Sequence, residues 1–194
     1  ARPYEVRHHG NDFIFFGCNS SGPEHVFVTE KLPGVNRCDF DQLEDDVRRA
    51  SAQGKIVVVT LQYSEAYSRL PGDYQHRDFT RISAAGAAIV SGSQAHYAQS
   101  YAVASDRIIH YGLGNLFFDQ MDIPIVGTRQ ELLDRSIFYD GRLLTTEVKS
   151  CLLTEFARPV PMTDEERSSF LTEILSLTEM LPDSATEDSN SVPD

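Results

Sequence analysis

Residues 55–62 read Lys-Ile-Val-Val-Val-Thr-Leu-Gln, a β-branched apolar run without polar alternation. A strand with one wet face alternates, so a strand that does not is covered on both faces, as in a parallel sheet. Parallel neighbours need a crossover between them, usually a helix. The flanking segments have that form. Phe40, Leu43, Val47 and Ala50 recur at helical spacing behind Asp39 or Asp41 as cap, predicting a helix over about 40–52 that ends near Gly54. A second helix is expected from about Asp73 to Ala85, with Phe79 and Ile82 on one face and Gly86 closing it. Further short strands are expected at 13–17, 87–90 and 107–111, and a fifth at 116–118. This order makes two βαβ units, so the expected class is α/β: a parallel core with helices covering its faces.

The flanks differ. Apolar residues 4–6 and 13–16 bracket His8-His9-Gly10-Asn11-Asp12, which predicts a hairpin with a solvated histidine pair. Residues 19–37 hold Ser20, Ser21, Gly22, Pro23, Pro33 and Gly34 and read as loop. Residues 136–139, an Asp140-Gly141 turn and residues 143–153 predict an antiparallel hairpin. Thr163-x-x-Glu166 is a capping box, opening a helix with Phe170, Leu171, Ile174, Leu175 and Thr178 as its apolar stripe. Residues 182–194 contain Asp183, Glu187, Asp188 and Asp194, no base, and Ser and Pro, a composition that predicts disorder.

A chain of 194 residues can bury a full core. Its net charge of -12 argues against nucleic acid, because phosphate contacts need clustered Lys and Arg. No apolar run reaches the ~18 residues that a membrane helix needs. Cys18, Cys38 and Cys151 lack CxxC spacing, which excludes a zinc ribbon. Two readings stay open for them: one disulfide with a thiol left over, or a buried free thiol at Cys18, which ends an apolar strand. Asn19-Ser20-Ser21 fits a glycosylation sequon.

Open parallel sheets bind ligands outside the carboxyl ends of their strands. Each expected strand empties there into small and polar residues. The first leads into Cys18, Asn19 and Ser20, and the second into Gln62, Tyr63, Ser64, Glu65 and Tyr67. The third leads into Ser91, Gly92, Ser93, Gln94 and His96, and the fourth into Gly112, Gly114 and Asn115. Four such endings on one edge mark a site. His96 reads as a ligand, a general acid/base or a surface histidine near a turn. Glu65 is the candidate acid, against an ordinary exposed glutamate. Gln62 and Gln94 either face a ligand or cap backbone groups. Asn115 reaches the ligand or bridges loop backbone. His110, inside an apolar strand, reads as a core histidine.

Three segments, KIVVVTLQYSEAY, GAAIVSGSQAHYAQ and IIHYGLGNLFFD, together resemble the CapA-type capsule (poly-gamma-glutamate) synthesis proteins, a metallophosphatase-like family. In that family the first segment ends in His-Trp-Gly-x-Glu-Tyr, the second reads Gly-x-His-Pro-His and the third Tyr-Ser-Leu-Gly-Asn-Phe. Order and spacing agree over residues 55–119, and residues 4–54 and 130–181 match more weakly. The resemblance implies a two-sheet sandwich with a dinuclear metal site drawn from both halves. It implies that residues 1–181 are the carboxyl-terminal portion of the domain, that the amino-terminal half is a partner, and that the location is the cell envelope or extracytoplasmic. Gln62 stands where the family has its first histidine, and Gln94 where it has the first of the His-x-His pair. His96 is in register with the second, and Ala66 takes the place of the usual glutamate, with Glu65 beside it.

An amide oxygen is a weak ligand for zinc or manganese, although harder cations accept it. Two functions follow from the resemblance. One is a metal-dependent hydrolase of polymer synthesis with a degenerate divalent-metal site, His96 as metal ligand and catalytic group, and Glu65 as acid. The other is a non-catalytic binding or scaffold member. In both, Gln62, Gln94, Ser93, Asn115 and Tyr67 would contact a polymer precursor or an anionic small molecule. A third reading makes Ser93 a hydrolase nucleophile, but Ser91 and Ala95 replace the glycines of a nucleophile elbow.

Overall fold

The computed structural model describes residues 2–118, 126–156 and 158–183. The tail expected to be disordered lies, from residue 184 on, outside the described residues. A hairpin opens the fold, β1 (Tyr4–His8) against β2 (Asn11–Asn19). His9 and Gly10 both have positive φ, 46° and 82°, the two-residue turn whose twist matches its strands. The expected βαβ units follow: α1 (Phe40–Ala52), β3 (Ile56–Ala66), α2 (Asp73–Ala84) and β4 (Ala87–Ala95). Asp39 is the cap of α1, its carboxylate accepting from the Gln42 amide.

Two short strands complete the core, β5 (Tyr101–Val103) and β6 (Ile108–His110). Strands β2, β3, β4 and β6 run parallel, while β1 and β5 are antiparallel neighbours. The sheet order is β1-β2-β3-β4-β6-β5, with a final two-residue strand, β10 (Glu179–Met180), beside β5. The second sheet holds β7 (Gln130–Tyr139), β8 (Arg142–Thr154) and β9 (Arg158–Pro161). Helix α3 (Asp164–Ser176) follows, opened by the capping box between Thr163 and Glu166. β10 is Glu179–Met180.

Three expectations change. Residues 116–118 do not form a strand; β5 supplies that ladder instead. Helices alone do not cover both faces. Leu43, Val47, Phe79 and Ile82 pack with Val57, Val59 and Leu61 on one face. The other face meets the second sheet and α3, through Ala98, Tyr101, Ile108, Leu132, Phe170 and Ile174. A β-branched run demands cover on both sides, but a sheet satisfies that demand as well as a helix. The stripe of α3 is also narrower than expected: Phe170 and Ile174 are buried, Leu175 is 59% exposed and Thr178 lies past the helix end.

Cys18 is bonded to Cys38, and Cys151 is a buried free thiol. The free-thiol reading of Cys18 is therefore corrected: the 19–37 loop returns beside β2, with Asn19 donating to the Asn36 carbonyl, and brings Cys38 to the strand end. His8 and His9 are exposed, and His110 is buried, as expected. Burial holds His110 below the usual histidine range, against the opposing pull of Asp134.

Candidate functional site

The register of the sheet sets Asn19, Gln62 and Ser93 side by side, because Asn19 pairs with Gln62 and Gln62 with Ser93. Beyond Gln62 the two central strands slip, and pairing resumes only at Ala66 opposite Ala95. Gln94 takes up the slip with a φ of 83°, in the left-handed region. A bulge at a strand end re-aims side chains. Here the Gln62 amide nitrogen donates to the Gln94 amide oxygen at 2.9 Å.

His96 follows at the end of β4, its backbone amide donating to the Ala66 carbonyl at 2.8 Å. Its ring is buried, and Nδ1 lies 2.8 Å from Asn115 Oδ1. The Asn115 amide nitrogen donates to the Thr128 carbonyl at 3.0 Å, which turns its oxygen toward the histidine. An amide oxygen only accepts, so the proton sits on Nδ1. In a neutral ring the lone pair is then on Nε2, which lies 3.8 Å from Glu65. That tautomer, set by a partner on the far nitrogen, is the one that suits a base or a metal ligand.

Tyr67 donates to Glu65 at 2.7 Å and stacks on the His96 ring at 5.2 Å, while Phe118 approaches the same ring at 5.3 Å. Gly114 makes the loop feasible. Its φ is 85°, and a Cβ there would stand 2.8 Å from the Gln130 carbonyl oxygen. A cavity of about 490 Å³ opens over Glu65, Gln94, His96, Asn115, Leu116 and Phe118. Asn115→Leu is expected to lower stability by about 2 kcal/mol, since the His96 Nδ1–H and the Thr128 carbonyl each lose this buried partner. Urea unfolding would show a lower midpoint at an unchanged slope.

The structure thus brings together Gln62, Glu65, Tyr67, Gln94, His96 and Asn115. Other candidates are structural. Cys18 is in the disulfide, and Ser20 and Ser21 bond the backbone carbonyls of Gln62 and Tyr63. Ser93 lies at the edge of the group within β4 and donates to the Leu61 carbonyl at 3.4 Å. It does not sit on the strand-to-helix elbow that an activated serine requires. Leu116, Phe118 and the Thr128 carbonyl were missed as site residues. The first two flank the Asn115 motif; a contributing carbonyl leaves no mark in a sequence.

A larger cavity, about 730 Å³, lies at the opposite edge, beside the amino ends of β3 and β4. Lys55, Arg107 and Arg142 line it, but Lys55 is paired with Glu5 and Arg107 donates to the Pro182 carbonyl. The carboxyl edge, where polar side chains converge around a shaped loop, remains the candidate site.

The residues at the carboxyl edge do not by themselves fit a divalent transition metal. Among the described residues no three His, Cys, Asp or Glu side chains cluster, and His96 and Glu65 form the single pair at the pocket. The Gln94 carbonyl already accepts from Gln62.

Fold and pocket define a mixed α/β protein with a polar cavity at the carboxyl edge of a mostly parallel sheet. The family described as "Bacterial capsule synthesis protein PGA_cap" matches residues 3–120, and the chain belongs to it. It is 33% identical over 95 residues to the PGA biosynthesis protein CapA of Bacillus subtilis (strain 168), covering 48% of this chain and 25% of that protein. It is 33% identical over 99 residues to the capsule biosynthesis protein CapA of Bacillus anthracis, covering 49% and 24%. The chain spans about a quarter of the length of these curated relatives.

Proposed function

We propose that this chain belongs to a capsule-synthesis protein that binds a cell-envelope polymer precursor at its carboxyl-edge pocket and does not hydrolyse it. The supporting observation is the Gln62–Gln94 amide pair. Two neutral side chains that bond each other occupy the centre of the strand-end cluster, leaving one imidazole and one carboxylate as the charged or ligating groups. Amides suit recognition: each offers donors and an acceptor at fixed geometry. The same groups give a metal-bound water little to be activated by. An oxidising, extracytoplasmic setting accords with the Cys18–Cys38 bridge, since such bonds persist chiefly outside the cytosol.

The test is metal analysis of the full-length protein purified without chelator. Less than a tenth of an equivalent of zinc, manganese or iron is expected, about what adventitious binding leaves. A full equivalent that is lost on His96→Gln would overturn the binding reading and restore the metal-dependent hydrolase.

A further inference from the structure

We propose that β1 joins two copies of this protein: its free edge pairs antiparallel with β1 of a second copy about Val6, Glu5 of each facing Arg7 of the other. Among the described residues, β1 ends the seven-stranded sheet and has β2 as its one neighbour. The two-residue turn at His9-Gly10 closes on a hydrogen-bonded pair, His8 with Asn11, and such pairs alternate along an antiparallel ladder. The backbone groups of Tyr4, Val6 and His8 therefore face β2, while the N–H and C=O of Glu5 and Arg7 point away from the sheet. Pro3, which has no N–H, ends this free ladder on one side, and the turn ends it on the other. Two other edges are less open: β9 carries Pro159 and Pro161, and β10 is two residues long.

An open edge invites its own copies unless charge keeps them apart. Like charges along the strand would do so. β1 instead reads Tyr-Glu-Val-Arg-His, an order that complements itself when reversed. With Val6 opposite Val6, Glu5 lies opposite Arg7 and Tyr4 opposite His8, on both sides of the two-fold axis. The outward N–H and C=O groups of Glu5 and Arg7 are then paired in both copies. A slip of two residues would set Glu5 against Glu5, or Arg7 against Arg7, so charge fixes the register. Glu5 now meets Lys55, and Arg7 meets Asp12 at 3.5 Å; Glu5 is 56% exposed and Arg7 74%. Exposed ion pairs contribute little, so both side chains can share or exchange partners at small cost. On the other face of the sheet Tyr4, 66% exposed, sits beside Phe15, and the second copy covers it.

Sedimentation velocity of the full-length protein tests the pairing. Each chain carries a net charge of -12, so long-range repulsion opposes association. The measurement is therefore made at about 0.15 M salt, which screens charge beyond roughly 8 Å. A short ladder makes a small interface, so a reversible dimer is expected, its fraction rising between about 10 μM and about 1 mM protein. Glu5→Arg places an arginine opposite Arg7, and Arg7→Glu places a glutamate opposite Glu5. Each variant alone, with an unchanged melting temperature, should dimerise roughly tenfold more weakly, because both cross-strand pairs become like-charged. An equimolar mixture of the two variants restores both opposite-charge pairs and should dimerise as the parent does. That recovery distinguishes lost recognition from lost folding. A parent that stays monomeric at about 1 mM overturns the proposal. A dimer that both variants retain places the contact elsewhere and overturns it as well. A mixture no more dimeric than its components overturns the register, and with it the proposal.

Discussion

Reduction of the Cys18–Cys38 bridge is expected to lower the melting temperature by roughly 6 to 12 °C, as seen in thermal unfolding with and without a thiol reductant. The bridge joins residues 20 apart in sequence. Closing a loop of that size in the unfolded chain contributes about 3 kcal/mol by the chain-entropy relation. For a protein near this size each kcal/mol moves the midpoint by about 2–4 °C. The loop it closes is wired to the site edge. Ser20 donates through its backbone amide and hydroxyl to the Gln62 carbonyl, and Ser21 to that of Tyr63. Reduction should therefore raise amide exchange at the end of β3 before it does so in the middle of the strand. Cys18→Ala with Cys38→Ala should reproduce the shift and abolish the response to reductant. Cys151 does not enter, because burial pushes its thiol upward and holds it out of exchange.

The second large effect belongs to Glu131. Its side chain is fully buried beneath the loop that carries Asn115, and neither carboxyl oxygen has a hydrogen-bond partner. Burial raises its pKa from 4.5 to about 7. Between those values the folded chain holds a proton there that the unfolded chain has released, so stability falls as pH rises through that window. Above about 7 both states are ionised and the loss is complete, about 3 kcal/mol. Glu131→Gln removes the ionisation and keeps the shape. It should add about 3 kcal/mol at pH 8 and under about 1 kcal/mol at pH 5, measured by urea unfolding at both. His110 acts in the reverse sense, since a histidine held neutral by burial destabilises the fold as pH falls below its unfolded value. Comparing variant with parent at each pH cancels that contribution. Equal stabilisation at both pH values would show that Glu131 packs badly without being charged.

Much of the fold was legible because it rests on local regularities. The run 56–59 is buried on both faces, as its lack of alternation implied. Helical spacing located α1 and α2, and turn residues located both hairpins, down to positive φ at Gly10, Asp140 and Gly141. The three-residue β5 and two-residue β10 carried no such periodicity and were missed. Their pairing is imposed by neighbours.

The edge that carries the candidate site was singled out by the sequence alone, because parallel strands all end on one side and these ended in polar residues. That Gln62, Gln94 and His96 fall at those strand ends was equally plain. What those side chains do to one another was decided only by the tertiary structure. The two amides, 32 residues apart, meet because one strand slips against the next and Gln94 turns left-handed. The tautomer of His96 depends on Asn115, 19 residues on, and Asn115 in turn is oriented by the carbonyl of Thr128. Every residue has a carbonyl, so no choice of side chain announces which one will be in place. Register and backbone direction are set by the packing of the whole sheet, and they separate a row of polar strand ends from a pocket in which two amides and an imidazole hold fixed partners.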